Sequence, residues 1–331
     1  MGNNGRRVAA LALAGAVLMA VALAAWSPAD ADRVRRPYRV GVLNDARAAN
    51  HPAVDGLKVR LRELGLQEPR DVVFDVALTD ADAGRLAAGA NALAAAGPDV
   101  IFASGEAATR AARAATPTIP IVFTGVGDPV GAGLVPSLAS PAGNLTGVSS
   151  LGTELLAKRL EALKALAPRL RRVWVIHDAR DSGETVMLTR AREVASRLGL
   201  ELVDHAIVTP GRLEEALGRL GPDDGLLVPD LGVVDVAAVL LEVSLLRRAP
   251  AMFSSPQWVS HGGLIAYGAD ARGQGIQAAR LVAKILRGAH PRDLPVEGAD
   301  HVVLAVNLKT AAALGLVAPR TLLYRADVIR R

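Results

Sequence analysis

The stretch Arg39-Val40-Gly41-Val42-Leu43-Asn44-Asp45-Ala46-Arg47 decides the fold, because it occurs twice. It returns as Arg172-Val173-Trp174-Val175-Ile176-His177-Asp178-Ala179-Arg180. In each copy a short apolar run stops at a polar pair, the pattern of a buried strand ending in a loop. Three further matches follow in the same order at nearly the same spacing. Arg62-Glu63-Leu64-Gly65-Leu66 meets Arg197-Leu198-Gly199-Leu200, Gly97-Pro98-Asp99 meets Gly221-Pro222-Asp223, and Pro120-Ile121-Val122-Phe123 meets Pro250-Ala251-Met252-Phe253. One match in a chain rich in Ala, Leu and Arg is chance. Four in order describe two similar halves, by duplication or as two like folds in series.

Between these strands the spacing turns helical. Val54, Leu57, Leu61 and Leu64 share one face, and Gly65 supplies a stop. Val72 to Leu78 reads as a second strand, Ala87 to Ala96 as a helix, and Val100 to Ala103 as a third strand. Thr109 to Ala115 continues as a short helix, and Ile119 to Phe123 is a fourth strand. Such alternation implies a parallel sheet covered on both faces. The expected fold class is therefore α/β: two similar Rossmann-like lobes with parallel sheets and helices on both faces, hinged around a central cleft where their loop-bearing edges face each other. The expected N-terminal lobe spans 32–147 and 268–300, and the C-terminal lobe 148–267 and 301–331. In this plan the helix from Ala271 to Arg287 packs on the first lobe, while the strand from His301 and the tail from Thr310 return to the second.

The chain has 331 residues, 51% of them hydrophobic, enough for one long domain or two of roughly 150 residues. The absence of cysteine excludes a disulfide scaffold, a thiol nucleophile, a thiolate metal site and a lipid-modified N-terminal cysteine. The net charge of +5 is not gathered into a stripe, and four Phe, three Trp and three Tyr leave little for bases to stack on. These features argue against nucleic acid as a partner.

Arg6 and Arg7 precede an apolar run from Val8 to Trp26, then Ser27, Pro28 and the small-x-small triplet Ala29-Asp30-Ala31. This is the form of a secretory signal over residues 1–31, removed on export. An uncleaved anchor is the alternative, since the run approaches the roughly 20 residues that span a bilayer. Pro28 breaks the helix just before the cut and favours cleavage.

Further residues resemble a known family. Pro120 to Phe123, Gly127-Asp128-Pro129-Val130, Gly133-Leu134-Val135 and Gly143-Asn144-Leu145-Thr146-Gly147-Val148-Ser149 look like the signature of ABC-transporter substrate-binding proteins of the tryptophan/tyrosine-uptake type. Glu161 to Pro168 resembles that family's lobe-linking helix. Asn307-Leu308-Lys309-Thr310-Ala311, Ala313 to Leu316 and Leu322 to Asp327 are similar to its tail. The resemblance implies a type I periplasmic-binding fold that delivers a small ligand to an ABC permease in the inner membrane. Without a lipid-bearing cysteine, it further implies a freely diffusing periplasmic monomer.

Ligands of open parallel sheets gather at the carboxyl ends of the strands, where loops and helix N-termini present free N–H groups. If two such edges face each other, they form a cleft that can close on a small molecule. The candidate ligand-binding residues at those ends are Asn44, Asp45, His51, Ser104, Gly105, Glu106, Thr124, Gly125, Asp128 and Ser149 in the first half. In the second half they are His177, Asp178, Asp230, Ser254, Gln257 and Tyr267, with Trp258 beside Gln257 as an aromatic contact. Ser104 can cap the helix that follows it, whose amides can receive a carboxylate; Glu106 can meet an ammonium. Asp128 suits a turn better than a ligand, and solvated connector loops remain the bland reading of each residue taken singly.

Enzyme motifs are missing: there is no Gly-x-Ser-x-Gly, no His-Glu-x-x-His and no Walker lysine loop. Gly273-x-Gly275-x-x-Ala278 mimics a dinucleotide fingerprint but lacks the acid on a following strand, so it reads as packing. His51 and His177 with Asp45 and Asp178 could hold a metal only if they met across the cleft; no metal and no cofactor are expected. The expected function is capture of a small solute, an amino acid or related metabolite, by hinge closure for an ABC importer, with no covalent chemistry. The alternative is a ligand-sensing protein that presents the solute to a membrane receptor.

Overall fold

The computed structural model describes residues 36–44, 51–79, 82–178, 184–207, 213, 215, 217–228 and 237–331, with 178, 184–187, 207, 237 and 238 described by backbone alone. The N-terminal segment read as a secretory signal lies outside them. Among the described residues no helix is long and apolar enough to cross a membrane.

Two sheets organise the chain. Strands β1 (Tyr38–Asn44), β2 (Val72–Ala77), β3 (Val100–Ser104), β4 (Ile121–Val126) and β5 (Leu145–Ser149) form the first, joined at its edge by β11 (Glu297–Gly298). Its order is β11-β5-β4-β3-β1-β2, and every neighbouring pair is parallel. The second sheet contains β6 (Arg172–Asp178), β7 (Glu201–Ile207), β8 (Asp224–Val228), β9 (Ala251–Phe253), β10 (Ile265–Ala269), β12 (Val302–Asn307) and β13 (Val328–Arg330). It runs β13-β12-β10-β9-β8-β6-β7. Taken over their first five strands, the two orders are the same: second, first, third, fourth, fifth. The sequence repeat is thus a repeat of topology. Each sheet also has its switch point between its first and third strands, where open α/β sheets leave a crevice.

One pair breaks the parallel rule. β12 runs antiparallel to β10. The chain leaves the second sheet at the carboxyl end of β10 and comes back from β11 to the same end, so the returning strand must run the other way.

The helices α1 (Pro52–Glu63), α2 (Ala83–Ala96), α3 (Glu106–Ala115), α4 (Gly152–Leu166), α5 (Glu184–Arg197), α6 (Ala237–Leu246), the one-turn α7 (Gln257–Ser260) and α8 (Ala271–Leu286) follow from apolar spacing and caps. Two short tail helices, α9 (Leu308–Ala313) and α10 (Arg320–Arg325), pack on the second lobe beside α4. α2 starts four residues before the sequence suggests, because the Asp82 side chain accepts the Arg85 N–H and caps the helix there. Similarly, β4 runs on to Val126, past the Phe123 at which the apolar run stops.

α1 and α8 cover one face of the first sheet, against Val40, Val42, Phe102 and Val122; α2 and α3 cover the other, against Leu43, Ile101, Ala103 and Phe123. The α1–α8 contact is a backbone contact. A Cβ on Gly275 would lie 1.9 Å from the Ala53 carbonyl oxygen, and one on Gly56 would lie 2.1 Å from that of Arg272. Of the glycine pair that mimics a dinucleotide fingerprint, Gly275 therefore sits in a helix crossing, while Gly273 gives its N–H to the Asp270 cap. In the second lobe α4 and α5 cover one face, packing with Val173, Val175 and Met252, while α6 and α7 cover the face of Trp174, Ile176 and Phe253. Each fully buried Phe (Phe102, Phe123, Phe253) contributes roughly 1.5–3 kcal/mol through lost apolar surface.

Candidate functional site

In the first lobe, register turns three separate loops into one row. Asn44 pairs with Ser104 and Ser104 with Thr124, so three polar residues stand side by side at the carboxyl ends of β1, β3 and β4. They belong to the face covered by α1 and α8, where the residues beneath them are apolar: Val40 and Val42, Val100 and Phe102, and Val122. All three are at most 3% exposed. An apolar ladder changes to hydroxyl and amide only at its last rung. The Thr124 Oγ1 is buried with no hydrogen-bond partner among the described residues, a costly arrangement for a hydroxyl.

Helix N-termini frame this row. His51 caps α1: its Nδ1 accepts the Ala53 N–H at 3.3 Å and lies 3.4 Å from the Ser104 Oγ. A backbone N–H can only donate, so Nδ1 carries no proton here, and the neutral ring holds its proton on Nε2. Burial lowers the His51 pKa below the ordinary histidine value, outweighing the pull of Asp55. Gly105 occupies the N-cap of α3 at φ 98° without any side-chain cap, so Ser104 does not cap this helix as its position suggests. Glu106, the candidate for an ammonium, is held by Arg110 in an i,i+4 ion pair at 2.7 Å. Gly125, at φ 71°, donates its N–H to the Gln274 Oε1 of α8 at 3.0 Å.

The remaining first-lobe candidates bond to backbone. The Asp128 Oδ1 accepts the Gly131 N–H at 2.8 Å, the turn-building role its position suits. The Ser149 hydroxyl donates to the Gly127 carbonyl at 3.2 Å and accepts the Leu151 N–H. Asp45 lies outside the described residues.

The second lobe's edge carries longer, ionisable groups. His177 ends the ladder of Val173 and Val175 on β6, is 6% exposed, and meets the Asp204 carboxylate of β7 at 2.6 Å through its Nε2. Arg192 lies 3.5 Å from the other oxygen of that carboxylate. His51 and His177 are each engaged within their own lobe, and no group of metal-ligating side chains forms among the described residues. Asp230 and the side chain of Asp178 lie outside those residues. Ser254 is buried just past β9, and Tyr267 on β10 packs half-buried against the α4 side of the sheet. Gln257 opens α7. Its neighbour Trp258 packs between Phe253 and His261, with ring centroids 6.0 and 5.8 Å away, which makes it part of the core's rim.

Sequence reasoning missed three residues here. Gln274 holds the Gly125 turn, Asp204 holds His177, and Arg159 lies buried on the inner face of α4. Arg159 alone left a readable signal: a charge inside the apolar spacing of Leu155, Leu156, Leu160 and Leu163.

Two lobes of like topology, with polar groups at the carboxyl ends of their sheets, are an architecture suited to holding a small solute. The family described as ABC transporter substrate binding protein matches residues 42–329, and the chain belongs to it. It is thus the substrate-binding component of an ABC transporter, in a family of binding proteins rather than enzymes. The chain is 29% identical over 272 residues to the tyrosine-binding protein of Clostridioides difficile (strain R20291), covering 80% of this chain and 78% of that one. Among solved structures, a conserved domain protein from Vibrio cholerae matches with TM-score 0.78 and 26% identity, over 88% of this chain and 99% of the other. An ABC domain in complex with L-Trp from Streptococcus pneumonia matches with TM-score 0.80 at 24% identity over the same shares, a likeness of fold. The ligand-free, open structure of a substrate binding protein with adhesive properties from Clostridium difficile matches with TM-score 0.65 at 27% identity, again over 88% and 99%.

Proposed function

We propose that this chain captures a free α-amino acid with an aromatic or large apolar side chain outside the cytoplasm and delivers it to an ABC permease. The observation that carries the reading is the buried row Asn44–Ser104–Thr124 at the switch point of the first sheet. Short hydroxyls there, with the N-terminus of α3 beside them, suit a carboxylate, whose negative charge the helix end favours. The Thr124 hydroxyl gains in a bound ligand the hydrogen bond it lacks among the described residues. The ionisable second edge around His177 and Asp204 then meets the rest of the ligand.

The choice of an aromatic amino acid is supported by the tyrosine-binding relative from Clostridioides difficile. Hinge closure is supported by the relative from Clostridium difficile, whose ligand-free structure is open. Mechanistically, open and closed arrangements exchange, and a ligand touching both edges favours the closed one by its differential affinity. Export is supported by the N-terminal signal pattern.

The test is native mass spectrometry of the protein purified from its own cells, followed by thermal shift against the amino acids. A co-purified amino acid, and a rise in melting temperature with L-tyrosine or L-tryptophan, is the expected result. No shift with any amino acid sinks the assignment.

A further inference from the structure

Arg159 is only 3% exposed on the apolar inner stripe of α4. A guanidinium so placed requires acceptors. Its Nε donates to the Tyr267 carbonyl at 2.7 Å and its Nη1 to the Gly152 carbonyl at 3.3 Å. Gly152 opens α4, just after the chain arrives from β5 of the first sheet. Tyr267 lies on β10, just before the chain goes back to the first lobe as α8. One side chain therefore grips both passages. Gly268, next to Tyr267, lets the second passage lie against the Ser254 backbone: a Cβ there would lie 1.6 Å from the Ser254 carbonyl oxygen.

The linkage continues into the first lobe on both sides. The Gly152 N–H donates to the Gly127 carbonyl at 3.0 Å, and the Ser150 N–H to that of Val126 at 2.9 Å. On the other side Asp270 caps α8, and the Gln274 of that helix holds the Gly125 N–H. The circuit closes: the turn at Gly125–Gly127, the first passage, Arg159, the second passage, the first turn of α8, and Gly125 again.

We propose that Arg159 is a positioning residue for ligand capture, fastening the two passages so that they bend as one hinge and transmit lobe movement to the Gly125–Gly127 turn. This rests on the reading of hinge closure given above. A planar fork reaches two carbonyls that lie in different directions; a lysine ammonium carries the charge without that geometry.

Since the chain has no cysteine, spin labels can be placed cleanly at Ala92→Cys on α2 and Glu193→Cys on α5, and the distance between them read by electron–electron resonance. Arg159→Lys and Arg159→Gln should each broaden the distance distribution without ligand and add a longer population. They should also weaken L-tyrosine binding about tenfold, as loss of a pre-organised state does. Lys164→Met, which removes a bond to the Leu170 carbonyl farther along the same helix, should lower the melting temperature without broadening the distribution. Unchanged distributions in both Arg159 variants, or equal broadening in Lys164→Met, overturn the proposal. If neither Arg159 variant folds, hydrogen exchange in the unaltered protein decides: residues 149–153 and 266–271 should open at one common rate, and independent opening overturns it. The distribution without ligand judges Arg159 alone, whereas failure of L-tyrosine to shorten the wild-type distance counts against hinge closure instead.

Discussion

β1 and β6 open the two halves with the same ladder and finish it differently. Val40 and Val42 lead to Asn44 on one, while Val173 and Val175 lead to His177 on the other. Beside Asn44, the Thr79 hydroxyl donates to its backbone carbonyl at 2.7 Å; beside His177 stands a carboxylate. The starts of these strands differ as well. Arg39 has its N–H on Asp99 and its guanidinium on Asp75. Arg172 instead forks onto Asp224, which is 1% exposed and also accepts from the Trp174 Nε1 and the Gly221 N–H. Apolar ladder and topology are shared because burial between helices demands them of both sheets. The polar ends answer to no such demand, and there the halves differ: one has a row of short neutral groups, the other a set of ionisable ones.

The largest expected effect breaks this comparison at the helices. Gly275→Val drives a side chain into the α1 backbone and should cost about 3 kcal/mol, the upper range for overpacking, read as a lowered denaturant midpoint. Gly199→Val, in the left-handed turn after α5 with open space around it, should cost about 1 kcal/mol from backbone strain alone. Equal losses would mean that the α1–α8 crossing is not the tight joint described.

The strand starts give the next contrast. Asp224→Ala strips acceptors from a guanidinium, an indole and an amide, and should lower stability by about 2–3 kcal/mol. Asp99→Ala removes the acceptor of one backbone N–H and should cost about 1 kcal/mol. Calorimetric melting of both variants measures the difference; matching values would erase it.

A smaller effect sharpens the first lobe's edge. The His51 pKa is held below 6.5 by burial, so the unfolded chain binds the extra proton more readily than the folded one. Its contribution is complete above pH 6.5 and is lost as pH falls below that value toward the folded pKa. His51→Asn keeps an oxygen to cap α1 without titrating, so stability measured by urea unfolding should fall less steeply than in wild type between pH 6.5 and 5. Parallel curves would show that His51 does not titrate in this way.

The repeated ladder, the Gly-Pro-Asp turns and the apolar stop at each strand end made both lobes readable in sequence, since each follows from local spacing. Register was not. That Asn44, Ser104 and Thr124 form one row depends on how β1, β3 and β4 pair, over separations that no periodicity encodes. Gln274 escaped notice for the same reason, reaching Gly125 from 149 residues away. Glu106 is legible as a helix-start acid, but Arg110 one turn on takes its carboxylate in an i,i+4 pair that the acid's position alone does not announce.

The central claim is tested most directly at Thr124, by calorimetric titration of unfolded and refolded protein with L-tyrosine, wild type beside Thr124→Val. Valine replaces a buried hydroxyl that lacks a partner among the described residues, so the variant should melt at the same temperature or higher yet bind L-tyrosine about tenfold more weakly. Binding of equal strength in the two proteins, or no saturable heat in wild type with either L-tyrosine or L-tryptophan, would contradict the account.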